Sequence, residues 1–406
     1  MQTPIAAGRV DSAADRSSPT TGRPVSAAAF TGVALTALGP LGLAALLVPG
    51  VVADASASAG LAMIAATVVF AAPLVIWLRY SRQIASAGGL YAFTEAAAGR
   101  RIAMLQAGLW IVSYLLYLIY TTAQIVYDVL PVVLPAERRY QPVLEIAIPV
   151  VQAGVLTAGR RATLIVAGAI AAGQLAIAAA LAGVTIAHLG APAASFGPAA
   201  SAPAGTLATA TGQTALLYIC GSLPLFLGGE LARPGVTMRR GLIIAYLISA
   251  AVTTAVVFPL SAAPAFTRVA IPGVSMAQQF AGRGFAIVVG VGVAASIGGV
   301  MLAEYLALTR LFRALTSLPQ RRITGALGAI LVVTAPITLI NPERIYADLI
   351  RPSLVALWLS QLLVFAVYPR FAARHRHRML PAWSLAVAAV ALTLYGLWIT
   401  IHQAAS

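Results

Sequence analysis

The sequence predicts an all-α polytopic membrane protein of about eleven spans, ten of them arranged as two inverted halves of five. Three observations predict it: the composition, the length of the uncharged runs, and a recurring pattern of interrupted spans. Of 406 residues, 60% are apolar and 9% are charged. A soluble domain carries about a quarter of its residues as charges to dress its surface, which excludes an ordinary water-soluble enzyme. The low-charge runs reach about 18 residues or more, the length that crosses a bilayer as a helix.

Residues 1–25 are polar and lack a hydrophobic run, so they read as a disordered cytoplasmic tail rather than a signal peptide. Hydropathy then places spans at roughly 26–49, 57–78, 102–134, 141–158, 162–187, 212–229, 241–262, 284–312, 323–340, 346–369 and 380–401. The net charge is +15, and all 26 basic residues are Arg. Without Lys there is no Walker-type phosphate loop and no Schiff-base chemistry. The preference for Ala, Gly, Arg and Pro, with Asn341 as the sole Asn, suggests a GC-rich bacterial genome.

Placing the amino terminus inside puts most of the arginines in cytoplasmic segments. Only Arg138, Arg139, Arg268, Arg283, Arg344 and Arg351 fall outside. That asymmetry is the positive-inside rule, so the charge reports topology and a nucleic-acid partner is not expected. An odd number of spans leaves the carboxyl terminus outside. The stretch 188–211 is rich in Ala, Pro, Ser and Gly and carries no Arg, Asp or Glu. It reads as the longest external loop.

Spans one to five and six to ten correspond at a nearly constant offset. The first is interrupted by Gly39, Pro40 and Gly42, and the sixth by Gly221, Pro224, Gly228 and Gly229. The third and eighth are the longest. Five spans per half is odd, so the second half, 212–369, must be inverted relative to the first, 26–187. Segment 370–406 adds a cytoplasmic loop and one further span. Paired Gly/Pro-interrupted spans in inverted halves point to a transporter binding site near the bilayer midplane.

The chemistry at the interruptions follows from the backbone. Pro40 removes an amide donor and opposes helical geometry before it. An opened helix is tolerable in hydrocarbon only where it lines a cavity or is covered by protein. Its free amides suit a carboxylate, while free carbonyls from Cys220 to Gly229 suit an ammonium group. A zwitterion satisfies both, which makes an amino acid or related amine the expected small-molecule substrate. Tyr114, Tyr117 and Tyr120 share one face of the third span, with Tyr117 or Tyr120 as the candidates for the substrate path. Tyr218, just before the break in the sixth span, is a candidate aromatic lid.

Ionisable groups inside spans are functional candidates by default. Glu304 lies some two turns from Arg310 and Arg313. It is either a proton-carrying or gating acid or half of a structural ion pair. Cys220 is the single cysteine, so a disulfide framework and a cysteine metal site are excluded. No His-Glu-x-x-His, Gly-x-Ser-x-Gly or Gly-x-Gly-x-x-Gly motif occurs. No catalytic residue, metal or cofactor is expected.

The segment Ser86-Ala87-Gly88-Gly89-Leu90-Tyr91, with Gly99-Arg100-Arg101 and Gly108-Leu109-Trp110, resembles the loop between spans two and three of the amino acid–polyamine–organocation permeases. Gly229-Glu230-Leu231-Ala232-Arg233-Pro234 is similar to that family's end of span six. Arg310, followed by Ala314 and Pro319, resembles its end of span eight. The resemblance implies a five-plus-five inverted-repeat transporter fold with spans one and six broken. By position, Gly39, Pro40, Leu41 and Gly42 would meet a substrate carboxylate, and Gly221, Ser222 and Leu223 its amine. The Gly88-Gly89 loop would take part in cytoplasmic closure. The Lys that some proton-coupled members carry in span five falls at about Gln174, which cannot titrate, and Ser296 would contribute to a sodium site between spans one and eight.

Two departures stand out. Ala85 replaces the Pro that often precedes the loop motif, and Leu223 stands where many members have an acid. The sequence therefore predicts a secondary permease for neutral amino acids or related amines in the bacterial cytoplasmic membrane, working by alternating access. Whether coupling uses protons or sodium is left open. A non-transporting sensor or assembly partner on the same scaffold is the alternative.

Overall fold

The computed structural model describes residues 24–197, 202–375 and 378–402. The predicted tail lies outside them up to residue 23, as does part of the predicted external loop, 198–201. Among the described residues there is no β-strand, and the one isolated bridge joins Val25 to Leu231. Val25, the last residue of the predicted tail, is buried and donates its amide to the Glu230 carbonyl at 2.9 Å.

Nine helical segments among the described residues are long and apolar enough to cross a membrane. They are α1 (Ala27–Val51), α2 (Ser56–Gln83), α4 (Arg100–Val133), α6 (Arg160–Leu189), α7 (Ala204–Glu230), α8 (Pro234–Ala262), α9 (Pro272–Leu315), α11 (Pro342–Arg374) and α12 (Met379–His402). Between them lie a short helix α3 (Leu90–Ala98) and two intermediate ones, α5 (Gln141–Thr157) and α10 (Gln320–Thr338). The last two are the fourth and ninth predicted spans. At 17 and 19 residues they sit at the lower limit of about 17–25 residues for a crossing, and they pack against each other. Helix α7 starts at Ala204, eight residues before the predicted span: it opens directly after Pro203 and runs through Gly205 and Gly212 without a further proline until Pro224.

The residue distribution is that of a protein in lipid. Val68, Val151, Val333 and Val387 face outward, each more than 60% exposed. Gln106, Gln174, Ser296, Glu304 and Gln361 are instead buried in the bundle. Exposed apolar surface on this scale marks a contact with something other than water. The chain is a multi-pass membrane protein.

Helix packing follows a definite pattern. The third predicted span (α4) runs along the tenth (α11), and the fifth (α6) along the eighth (α9). The first (α1) packs on the seventh (α8), and the second (α2) on the sixth (α7). Each pair becomes the other when spans one to five are exchanged with six to ten. A second correspondence lies at the starts of α4 and α9. Short helix α3 ends at Gly99 (φ 86°, ψ 170°), where the third span begins, and the first turns of α9 end at Gly282 (φ 85°, ψ 175°), where the eighth begins.

Candidate functional site

Helix α1 starts on the side chain of Ser26, which accepts the Ala29 amide at 3.2 Å, and runs to Leu38. Gly39 then takes a left-handed conformation (φ 59°, ψ 53°), which a residue lacking Cβ adopts without steric cost. Pro40 restarts the helix, since its missing amide is harmless at a first position. The chain continues through a widened π turn over Leu43–Leu47. The predicted break is present at Gly39-Pro40.

A chain of hydrogen bonds holds this break. The Gly42 amide donates to Ser296 Oγ at 3.2 Å, and the Ser296 hydroxyl donates to Gln174 Oε1 at 2.6 Å. Gln174 Nε2 in turn donates to the Leu35 carbonyl at 3.1 Å, which also accepts the Gly39 amide at 3.0 Å. All four groups are buried. The predicted coupling residues Gln174 and Ser296 are thus brought together, from α6 and α9, onto the two ends of the break. Leu41 fills the space beside Gly292 of α9.

Helix α7 responds to its own glycines and Pro224 differently. From Leu217 to Glu230 it winds as a 3₁₀ helix, far beyond the usual three or four residues and characteristic of a hinge or a strained segment. Gly221 crosses α1 so closely that a Cβ there would stand 3.3 Å from Leu38 Cδ2. Ser222 and Leu223 are buried beside it, and the Ser222 hydroxyl faces that of Tyr114.

Near this crossing the Thr121 hydroxyl faces that of Tyr117, and both oxygens of Glu304 are buried without a hydrogen-bond partner. Glu304 is 0% exposed. Ser296 and Val300 lie within 3.3 Å of a Cβ built at Gly39, and Glu304 follows on the same face of α9 at the i+4 spacing. Its carboxylate is within electrostatic reach of Tyr114, Tyr117, Tyr120 and Cys220. The ion pair that spacing allowed with Arg310 is not formed. Arg310 Nε instead donates to Glu230 Oε1 at 2.8 Å, in a buried pair that Arg160 approaches at 3.6 Å.

Along α4 the rings form a ladder. Trp110 stands 4.2 Å from Tyr114, Tyr114 6.2 Å from Tyr117, and Tyr117 5.0 Å from Tyr120, which meets Tyr346 edge-on. Tyr117, Tyr120, Cys220 and Tyr346 line a cavity of about 980 Å³ at the end of the bundle that carries Gly50, Val51 and Arg351. Gln124, at the start of a π turn in α4, lies on the same wall. The opposite end is shut. Phe226 packs on Trp110 at 4.6 Å and lies against Gly89, whose Cβ would be 2.7 Å from the ring. Gly89 has φ 49°, so both the backbone and the close approach require glycine there. Gly88 adjoins it, beside Ser86 and Tyr91.

Not every predicted residue joins this group. Tyr218 turns away from the crossing, and its ring packs on Phe70 and Tyr246 in a cluster between α2, α7 and α8. The residues that sequence reasoning did not single out as site residues are Trp110, Thr121, Gln124, Phe226 and Tyr346. Trp110 lies in the motif quoted above and Tyr346 in a predicted span. Nothing in a linear spacing shows that Tyr346 meets Tyr120.

A helical membrane bundle with its first span broken and the facing span distorted belongs to the LeuT class of folds. The chain is similar to MhsT, whose crystal structure is in complex with L-phenylalanine. The TM-score is 0.59 over 91% of this chain and 97% of that chain, at 14% sequence identity. At that identity the likeness shows the fold. No family model and no curated protein matches the chain.

Proposed function

We propose that the chain is a secondary transporter that moves a small amine-bearing solute, an amino acid or a related amine, across the bacterial cytoplasmic membrane by alternating access. The observation that carries this reading is the buried Glu304 carboxyl group where α1 and α7 cross, with neither oxygen bonded and the facing Tyr114 and Ser222 hydroxyls close by. A polar group left unpaired in the low-dielectric interior costs roughly 1–3 kcal/mol or more. A ligand that pairs with these groups recovers that cost. The MhsT fold supports the reading, since that protein was crystallised with an amino acid.

The packing pairs that interchange between halves, and the matched glycines Gly99 and Gly282, support two inverted repeats of five spans. The arginine distribution supports an inside amino terminus. In that orientation the Glu230–Arg310 pair and the Gly89–Phe226 contact close the cytoplasmic end, and the cavity lined by Tyr117 and Tyr120 opens outward. Transport requires the two ends to open in turn around a ligand whose affinity persists in both states.

The test is counterflow in proteoliposomes preloaded with pools of unlabelled amino acids and amines, following tracer entry against empty liposomes. Counterflow needs no ion gradient, so it is independent of the coupling ion. Uptake with one pool establishes transport. A ligand that binds the folded protein but never enters the vesicles establishes a sensor.

A further inference from the structure

The charge balance of the site identifies the class of ligand within the reading just given, on which this inference rests. The crossing of α1 and α7 has two kinds of capacity: amides that could hold an anion, and acceptors that could hold a cation. Among the described residues the anion side keeps only neutral donors, the Tyr114 and Ser222 hydroxyls among them, and no free positive charge. The Gly42 amide donates to Ser296, the Gly39 amide to Leu35, and Pro40 has no amide. Arg310, the arginine nearest in sequence to Glu304, is committed to Glu230.

The cation side is open. Glu304 is fully buried with neither oxygen bonded, and no arginine or histidine pairs with it among the described residues. A buried carboxyl group with neither oxygen bonded is costly in either protonation state, and a cation at hydrogen-bond distance removes that cost. The Tyr114 and Tyr117 hydroxyls stand within its electrostatic reach, so neutral polar groups and no positive one adjoin it among the described residues. The vestibule leading down to them is lined by Tyr117, Tyr120 and Tyr346.

We infer that Glu304 is the counter-ion of the ligand's ammonium group, and that the site selects organic amine cations lacking a carboxylate over zwitterionic amino acids. A zwitterion would bring a second carboxylate beside Glu304 with only neutral hydroxyls and engaged amides to receive it, and no positive side chain among the described residues to balance it. An amine of the same body brings only the charge that Glu304 lacks. This departs from the neutral amino acid that the interrupted helices suggest by themselves.

The experiment uses two matched sets of probes on the purified full chain, with Kd measured by calorimetry. One set is phenethylamine, L-phenylalanine and hydrocinnamate; the other is pentylamine, L-norleucine and hexanoate. Within each set the body is constant and only the charged groups change. The expected result is that at least one amine binds roughly tenfold or more tighter than its amino acid, and that neither carboxylate binds. Glu304→Gln, nearly isosteric, should lose that amine affinity by about tenfold or more, and Glu304→Asp should keep part of it.

An amino acid that binds as tightly as its amine, or amine affinity unchanged in Glu304→Gln, overturns the inference. So does failure of the folded wild-type protein to bind any of the six. If Glu304→Gln does not fold, the matched sets on wild type and Glu304→Asp still decide. Counterflow separates the two readings. Amine binding that depends on Glu304 without counterflow keeps this inference and removes transport. Counterflow of a zwitterion untouched by Glu304→Gln does the reverse.

Discussion

Ser296 donates its hydroxyl to Gln174 Oε1 at 2.6 Å, and through this bond helices α6 and α9 together hold the broken first span. The same oxygen of Ser296 accepts the Gly42 amide, and the same side chain of Gln174 reaches the Leu35 carbonyl. Two uncharged residues thus tie the backbone on either side of Gly39 and Pro40.

Removing the hydroxyl should therefore loosen the break. Ser296→Ala removes the partner of the buried Gly42 amide and of Gln174 Oε1, at a cost of about 1–3 kcal/mol. The expected outcome is a lowered unfolding temperature in detergent and weakened ligand binding. An unchanged midpoint with unchanged affinity would show that the network does not hold the break.

The same bonds predict that sodium is not required. A hard cation needs several free oxygens, whereas Leu35 O already accepts two hydrogen bonds and Ser296 Oγ both accepts and donates. Counterflow should run at the same rate when sodium is replaced by N-methylglucamine. A requirement for sodium would mean that Gln174 gives way to the ion in the working protein.

The buried Glu230–Arg310 pair at the closed end makes a separate prediction. Glu230→Ala leaves the buried Arg310 charge uncompensated, at a cost of roughly 3–5 kcal/mol. Arg310→Ala should cost less, because Arg160 still stands 3.6 Å from Glu230. The double variant should lose much less than the sum of the two. Additive losses in an unfolding cycle would mean that the residues act separately.

Gly88 and Gly89 should differ sharply although they are neighbours. A Cβ at Gly88 stands 3.3 Å from Ser86 Oγ and Tyr91 Cδ1, while one at Gly89 stands 2.7 Å from the Phe226 ring at φ +49°. Gly88→Ala should retain most counterflow and Gly89→Ala should lose it. Phe226→Leu in the Gly89→Ala background should restore a part by relieving the clash. Equal behaviour of the two alanine variants would remove Phe226 from the closed end.

Gly42 and Gly221 also separate by size. Alanine at Gly42 meets Ser296 Oγ at 3.4 Å, an ordinary contact, whereas a side chain at Gly221 longer than a methyl group runs into Leu38, already 3.3 Å from a Cβ there. Gly42→Ala should bind ligand nearly as wild type. Gly221→Leu should abolish binding while the protein still inserts, and normal affinity in it would place the ligand elsewhere.

The helices and the first break were legible in the sequence because their causes are local. In hydrocarbon every backbone amide and carbonyl must be satisfied within its own segment, so long apolar runs become helices. A Gly-Pro pair opens such a helix whatever surrounds it. The fourth and ninth spans were legible as helices, although their modest length keeps them at the margin for crossing.

What only the tertiary structure decided is which polar side chains find each other. Spacing along the eighth span offered Glu304 two arginines within reach of a few turns, yet Arg310 is taken by Glu230 from another helix. That choice leaves Glu304 alone in the interior. Spacing placed Tyr218 just before the break, but the rotation of α7 about its own axis turns it toward Phe70 and Tyr246. Local chemistry sets helix and interruption because backbone hydrogen bonding is short-ranged. Charge pairing and ring contacts depend on the rotation and crossing of separate helices, which the packing of the whole bundle sets.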